Sequence, residues 1–112
     1  VTGYALKTNG TLWGWGYNGT GNLATGNTTS YSSPIQIGAS TNWSKMTGSY
    51  YSVFGLKTDG TLWAWGQNSN GQLGLGDTTN RSSINQVGSL TTWTTLPSTA
   101  QGLYMAAIAV TA

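Results

Sequence analysis

Short runs of alternating apolar and polar residues dominate this chain. In Thr11-Leu12-Trp13-Gly14-Trp15-Gly16, an extended backbone puts Thr11, Trp13 and Trp15 on one side and Leu12, Gly14 and Gly16 on the other. Asn9-Gly10 stands just before this run and behind another short strand-like stretch, which predicts a hairpin with a two-residue turn and positive φ at both positions. A glycine-rich loop is expected over 17–33, followed by short strands at Ile35–Ile37 and Trp43–Met46.

The same pattern then returns. Leu6-Lys7-Thr8-Asn9-Gly10-Thr11-Leu12-Trp13-Gly14-Trp15-Gly16 reappears 50 residues later as Leu56-Lys57-Thr58-Asp59-Gly60-Thr61-Leu62-Trp63-Ala64-Trp65-Gly66. The match runs on without a gap to Trp43/Trp93, and half of the aligned positions of 5–46 and 55–96 are identical. The second unit therefore repeats the first, with its hairpin at Asp59-Gly60, its loop over 67–83 and strands at Asn85–Val87 and Trp93–Leu96. We divide the chain into repeat one (1–50), repeat two (51–100) and the start of a third (101–112), where Ala107-Ile108-Ala109-Val110 loosely echoes Gly55-Leu56-Lys57-Thr58. Four short strands per 50-residue period match one blade of a β-propeller.

Composition supports this class. Gly, Thr, Ser and Asn make up half of the 112 residues and disfavour helix. Six Trp, six Tyr and one Phe supply the large buried area that a disordered chain would lack. The expected fold is all-β: about two four-stranded propeller units.

The motif Leu56-Lys57-Thr58-Asp59-Gly60-Thr61-Leu62-Trp63-Ala64-Trp65-Gly66, continued by Asn68, Gly71-Gln72-Leu73 and Gly74, closely resembles the repeat of the regulator of chromosome condensation family. The resemblance covers 5–96 and is strongest to bacterial and phage versions rich in Trp-x-Trp-Gly. It implies a β-propeller, commonly seven-bladed, in which each repeat spans parts of two adjacent blades. The first copy departs from it at Asn22 and Ala24. Tyr50-Tyr51-Ser52 lacks the His usual before the hairpin, and Ile84 replaces the Pro that Pro34 keeps. Since a propeller closes with about 4–8 blades, we expect the chain to be a segment of a larger propeller; the less favoured alternative is a ring completed by several copies.

Charge and chemistry narrow the functional classes. Cys and His are absent, and Asp59 and Asp77 are the only side-chain carboxylates, so thiolate, imidazole and zinc-thiolate chemistry have no residues to use. Both Asp positions are Asn in the other copy (Asn9, Asn27), the mark of turn residues. No catalytic residue, metal site or cofactor is expected. The net charge of +2 rests on four scattered cations, unlike the clustered footprint of a nucleic-acid binder. The apolar run Met105–Val110 is too short to span a bilayer.

The recurring Trp13, Trp15, Trp43, Trp63, Trp65 and Trp93 read as packing between units rather than as a stacking platform, with Gly10 and Gly60 as turn glycines. Positions that differ between the copies are the candidate partner-binding loop residues: Tyr17, Tyr31, Gln67, Asn70 and Arg81. Gly19/Ser69, Ile35/Asn85 and Lys45/Thr95 differ as well. The expected function is a non-catalytic structural or adhesive module of a phage virion or tail, or of a bacterial surface or secreted protein. It would meet a protein or cell-surface partner, or neighbouring blades. A protein-binding inhibitor or scaffold, and then guanine-nucleotide exchange, are the alternatives.

Overall fold

The computed structural model describes residues 2–49, 51–94 and 105–110. They form β1 (Thr2–Lys7), β2 (Leu12–Gly16), β3 (Tyr31–Gln36), β4 (Trp43–Ser49), β5 (Ser52–Lys57), β6 (Leu62–Gly66), β7 (Arg81–Gln86) and β8 (Met105–Val110), with no helix among the described residues. Two four-stranded sheets result, ordered β3-β2-β1-β8 and β4-β5-β6-β7. The fold is all-β.

The sheets do not divide where the repeats do. β4 carries first-repeat residues, yet it is the edge strand of the sheet built by the second, antiparallel to β5. The matching edge of the first sheet, beside β1, is taken by β8, which runs parallel (Thr2↔Met105 to Lys7↔Val110). β3 and β7 begin at Tyr31 and Arg81, a few residues earlier than the sequence pattern indicates. Trp93 and Thr94 are not in a strand, and the rest of the strand expected at Trp93–Leu96 lies outside the described residues.

The hairpins correct one expectation. The Gly10 N–H donates to the Lys7 carbonyl (2.9 Å) and the Lys7 N–H to the Thr11 carbonyl (2.9 Å), so three residues, Thr8 to Gly10, form the loop. Only Gly10 has positive φ (+84°), and Gly60 repeats it at +83°. This is the turn-plus-bulge hairpin, the next most favoured after the two-residue loop. Asn9 tips the balance: its Oδ1 accepts from the Thr11 N–H (3.1 Å) and hydroxyl (2.6 Å), and Asp59 does the same with Thr61. Gly10 is obligatory on a second count, because a Cβ there would stand 1.9 Å from the Thr41 carbonyl oxygen. The tip also places the next sheet, since the Gly10 carbonyl accepts from the Trp43 N–H (3.1 Å).

Strand register decides which faces meet. In the first sheet Tyr4 pairs with Gly14 and Leu6 with Leu12, while Gly3 pairs with Trp15 and Ala5 with Trp13. In the second, Val53 pairs with Trp65 and Gly55 with Trp63, while Phe54 pairs with Ala64. The core joins Tyr4, Leu12, Leu23 and Ile37 to Trp43, Val53 and Trp65. The Trp face of the second sheet therefore packs on the Tyr/Leu/Gly face of the first. The stacking is head-to-tail, as in successive propeller blades. Gly14 makes room for it: a Cβ there would meet Ile37, Leu23 and Tyr4 at 2.9–3.3 Å.

Trp43 and Trp65 thus lie in the interface, in edge contact (centroids 5.7 Å apart). Trp63 is half-buried at its margin, and the Lys57 ammonium stands over both Trp63 (4.3 Å) and Trp43 (4.9 Å). Trp13 and Trp15 do not pack between the units. They are half-buried on the other face of the first sheet, where Trp15 lies over Gly3 and the Lys7 ammonium caps Trp13 at 4.5 Å. No second described sheet covers that face, because the stacking uses its opposite side. Trp93 is half-buried.

Candidate functional site

The registers Thr2↔Gly16, Gly16↔Tyr31, Ser49↔Ser52, Ser52↔Gly66 and Gly66↔Arg81 bring the long loops 17–30 and 67–80 and the β4–β5 turn to one end of the sheets. The hairpin tips lie at the other end. All five divergent loop candidates belong to the long-loop end.

Each long loop is built around one buried amide. Asn18 is fully buried. Its Nδ2 donates to Thr25 Oγ1 (3.0 Å) and to the carbonyls of Asn27 (3.1 Å) and Thr29 (2.9 Å), while its Oδ1 accepts from the Leu23 N–H (2.8 Å). Asn68 does the same in the second loop, donating to Asp77 and the Thr79 carbonyl and accepting from the Leu73 N–H. A chain of glycines and small polar residues has little apolar surface with which to order a loop, so satisfied polar groups take over that task. Leu23 and Leu73, anchored by these amides, are fully buried.

A second buried amide joins the two repeats. Asn22 Nδ2 donates to Thr2 Oγ1 (3.0 Å) and the Tyr17 carbonyl (2.8 Å). The Asn22 carbonyl accepts from the Tyr4 hydroxyl and, across the interface, from Trp65 Nε1 (3.1 Å). Burial pushes the Tyr4 phenol far above its ordinary value, so it stays a protonated donor.

The outward-facing part of this end is aromatic. Tyr17 is 39% exposed, and its ring lies 4.7 Å from that of Tyr51 at an interplanar angle of 46°. Tyr51 adopts a φ of +69°, rare for a residue with a side chain. Its carbonyl is held by the Gln67 N–H (3.0 Å) and approached by the Thr20 hydroxyl (3.4 Å). Gly66 makes this possible, because a Cβ there would stand 2.1 Å from the Tyr51 carbonyl oxygen. Tyr17 and Gln67, from different repeats, thus meet through Tyr51. The Gln67 side chain donates onward to Ser69 Oγ (3.3 Å).

The other candidates are placed differently. Tyr31 is half-buried and packs against the core. The Arg81 guanidinium is committed to its own loop, donating to both Asp77 oxygens (2.7 and 3.1 Å) and to the Thr79 carbonyl (2.8 Å). Those bonds, with the Thr79 N–H, hold the Asp77 carboxyl below its usual range and raise Arg81. Asn70 is exposed, and its backbone N–H donates to Gln72 Oε1 (2.8 Å). Asp59 is lowered by hydrogen bonds from Thr61. Both carboxylates therefore serve turns, and no group of three metal-ligating side chains occurs among the described residues.

Sequence comparison of the copies could not single out Tyr51, because its counterpart is Val1, outside the aligned windows. Asn18 and Asn68 were visible only as identities. An amide retained within a loop whose neighbours vary is the signal that could have marked them.

Set against known families, residues 9–56 and 59–104 match the Regulator of chromosome condensation (RCC1) repeat, and residues 44–72 match a second description of the same repeat. No curated protein matches the chain. Among solved structures, the crystal structure of human WBSCR16 is similar in fold, with a TM-score of 0.64 at 20% sequence identity. The similarity covers 72% of this chain and 21% of that one, so the chain corresponds to about a fifth of that protein's length.

Proposed function

The chain belongs to the regulator of chromosome condensation repeat family, and from that premise we propose that it is a non-catalytic structural or adhesive β-propeller module that meets a protein or cell-surface partner through its long-loop end. The observation that carries this reading is the Tyr17–Tyr51 pair, an exposed aromatic contact assembled from two units and held by a Tyr51 backbone of unfavourable φ. Strain of this kind concentrates where a surface is shaped for a purpose. Tyrosine on a rigid frame is also a common anchor of protein recognition. The two carboxylates support the non-catalytic part, since both are spent on turns. Low charge and the absence of Cys and His fit a phage virion or tail, or a bacterial surface or secreted protein.

The test is binding of the fluorescently labelled chain to intact bacterial cells, comparing the native chain with a Tyr17→Ala, Gln67→Ala variant of unchanged melting temperature. Saturable binding that weakens about tenfold or more in the variant is expected, as for loss of one good anchor. Absence of cell binding removes the adhesive reading. Accelerated release of labelled guanine nucleotide from a small nuclear GTPase would replace it with the exchange reading.

A further inference from the structure

Asparagine is followed by glycine three times in this sequence, at Asn9-Gly10, Asn18-Gly19 and Asn70-Gly71. That dipeptide favours one spontaneous reaction. The glycine backbone nitrogen attacks the asparagine Cγ and gives up its proton, the bond from Cγ to the side-chain nitrogen breaks, and ammonia leaves. Water then opens the succinimide ring at either carbonyl, giving aspartate or isoaspartate. Glycine helps because it has no Cβ to hinder the attack and its backbone swings freely. Bonds or neighbours that fix either reacting group suppress the reaction.

The fold treats the three dipeptides differently. Asn18 is fully buried, with Nδ2 donating three hydrogen bonds and Oδ1 accepting one. Asn9 is exposed, but its Oδ1 is held by the Thr11 N–H and hydroxyl. Gly10 is wedged beside the Thr41 carbonyl, and its own carbonyl is bonded by the Trp43 N–H. Asn70 is exposed, and among the described residues its side-chain amide makes no hydrogen bond. Gly71 also has room, since a Cβ there would have the Asp77 carbonyl oxygen as its nearest neighbour, at 3.7 Å. A turn holds Gly71: its N–H donates to the Asn68 carbonyl (3.0 Å) and its carbonyl accepts from the Gly74 N–H (3.2 Å). The turn must open for attack, but the Gly10 N–H is held in the same way by Lys7 (2.9 Å), so side-chain freedom and packing make the difference.

We propose that Asn70-Gly71 is a site of spontaneous deamidation in the folded chain, while the fold protects Asn9 and Asn18. The product carries a carboxylate at the long-loop end and lowers the net charge of +2 by one. The nearby Arg81 guanidinium is already paired with Asp77. The isoaspartate form also lengthens the backbone of the loop. The reaction consumes only water and does not depend on what the long-loop end binds.

The test is incubation of the chain in mildly alkaline buffer, folded and in concentrated urea, followed by trypsin digestion. The peptide 8–45 carries Asn9 and Asn18, and 58–81 carries Asn70. Fragmentation mass spectrometry locates the acid-for-amide mass change at each position. In the folded chain Asn70 is expected to convert at least about tenfold faster than Asn9 or Asn18, because an exposed turn opens at little cost and a buried loop does not. In urea the three rates are expected to converge. A folded chain in which Asn70 stays an amide while the unfolded chain reacts overturns the proposal, as does conversion of Asn9 or Asn18 at the rate of Asn70. A native order of rates that persists in urea overturns the protection by the fold.

Discussion

At the scale of single residues, buried amides and turn side chains take over work that a charged or cysteine-rich protein assigns elsewhere. Asn68 satisfies the Leu73 N–H and the carbonyls of Asp77 and Thr79 with one side chain. Asn68→Ala leaves several of these groups without a partner, at about 1–3 kcal/mol for each that stays buried. A loss of about 3 kcal/mol in urea unfolding is expected, against well under 1 kcal/mol for the exposed Asn27→Ala. Asp59 gives a prediction in pH. Its carboxyl titrates lower folded than its unfolded value of about 3.9, so its contribution is complete above that value and is lost as pH falls through the folded one. Asn9 makes the same two bonds without titrating. Asp59→Asn should leave stability at pH 7 nearly unchanged and flatten its decline below about pH 4, as measured by melting temperature against pH.

At the scale of elements, the place of each hairpin and the alternating strand after each turn were legible in the sequence, because strand period and turn residues are local properties. What was not legible depends on partners distant in the chain. The turn has three residues rather than two because Asn9 bonds Thr11, a choice between two local geometries that Asn-Gly alone leaves open. β3 and β7 start early because Tyr31 and Arg81 find Gly16 and Gly66 across the sheet. Trp15 is only half-buried although it repeats Trp65, since burial depends on what stacks against the sheet and not on the motif. The site was half visible: Tyr17 and Gln67 through their divergence, Tyr51 through nothing local. The copies also differ at one strand position, where Tyr4 lies in the core between the sheets and its counterpart Phe54 is half-buried on the far face of the second sheet. Tyr4→Phe removes a buried donor from the Asn22 carbonyl and should cost about 1 kcal/mol in the same urea unfolding assay.

At the scale of the whole molecule, the account rests on polarity: each sheet has a Trp face and an opposite face, Tyr4/Leu12/Gly14 in the first and Phe54/Leu62/Ala64 in the second, and the Trp face of the second meets the Tyr4 face of the first. That arrangement explains the split of the first repeat between two sheets, because the hairpin tip of one unit, through the Gly10 carbonyl, fixes the Trp43 that opens the next sheet. It also leaves the long loops of both units side by side at one end, where Tyr17 reaches Tyr51. The central claim is that the second sheet docks on the first through Trp65 and Asn22, residues 43 positions apart in sequence. The most direct measurement is the nuclear Overhauser spectrum of the Trp65 indole N–H in the folded chain. Cross-peaks from that proton to Asn22 and Leu23, with slow exchange against solvent, are the predicted result; an indole proton that exchanges freely and shows contacts only within residues 52–66 would contradict it.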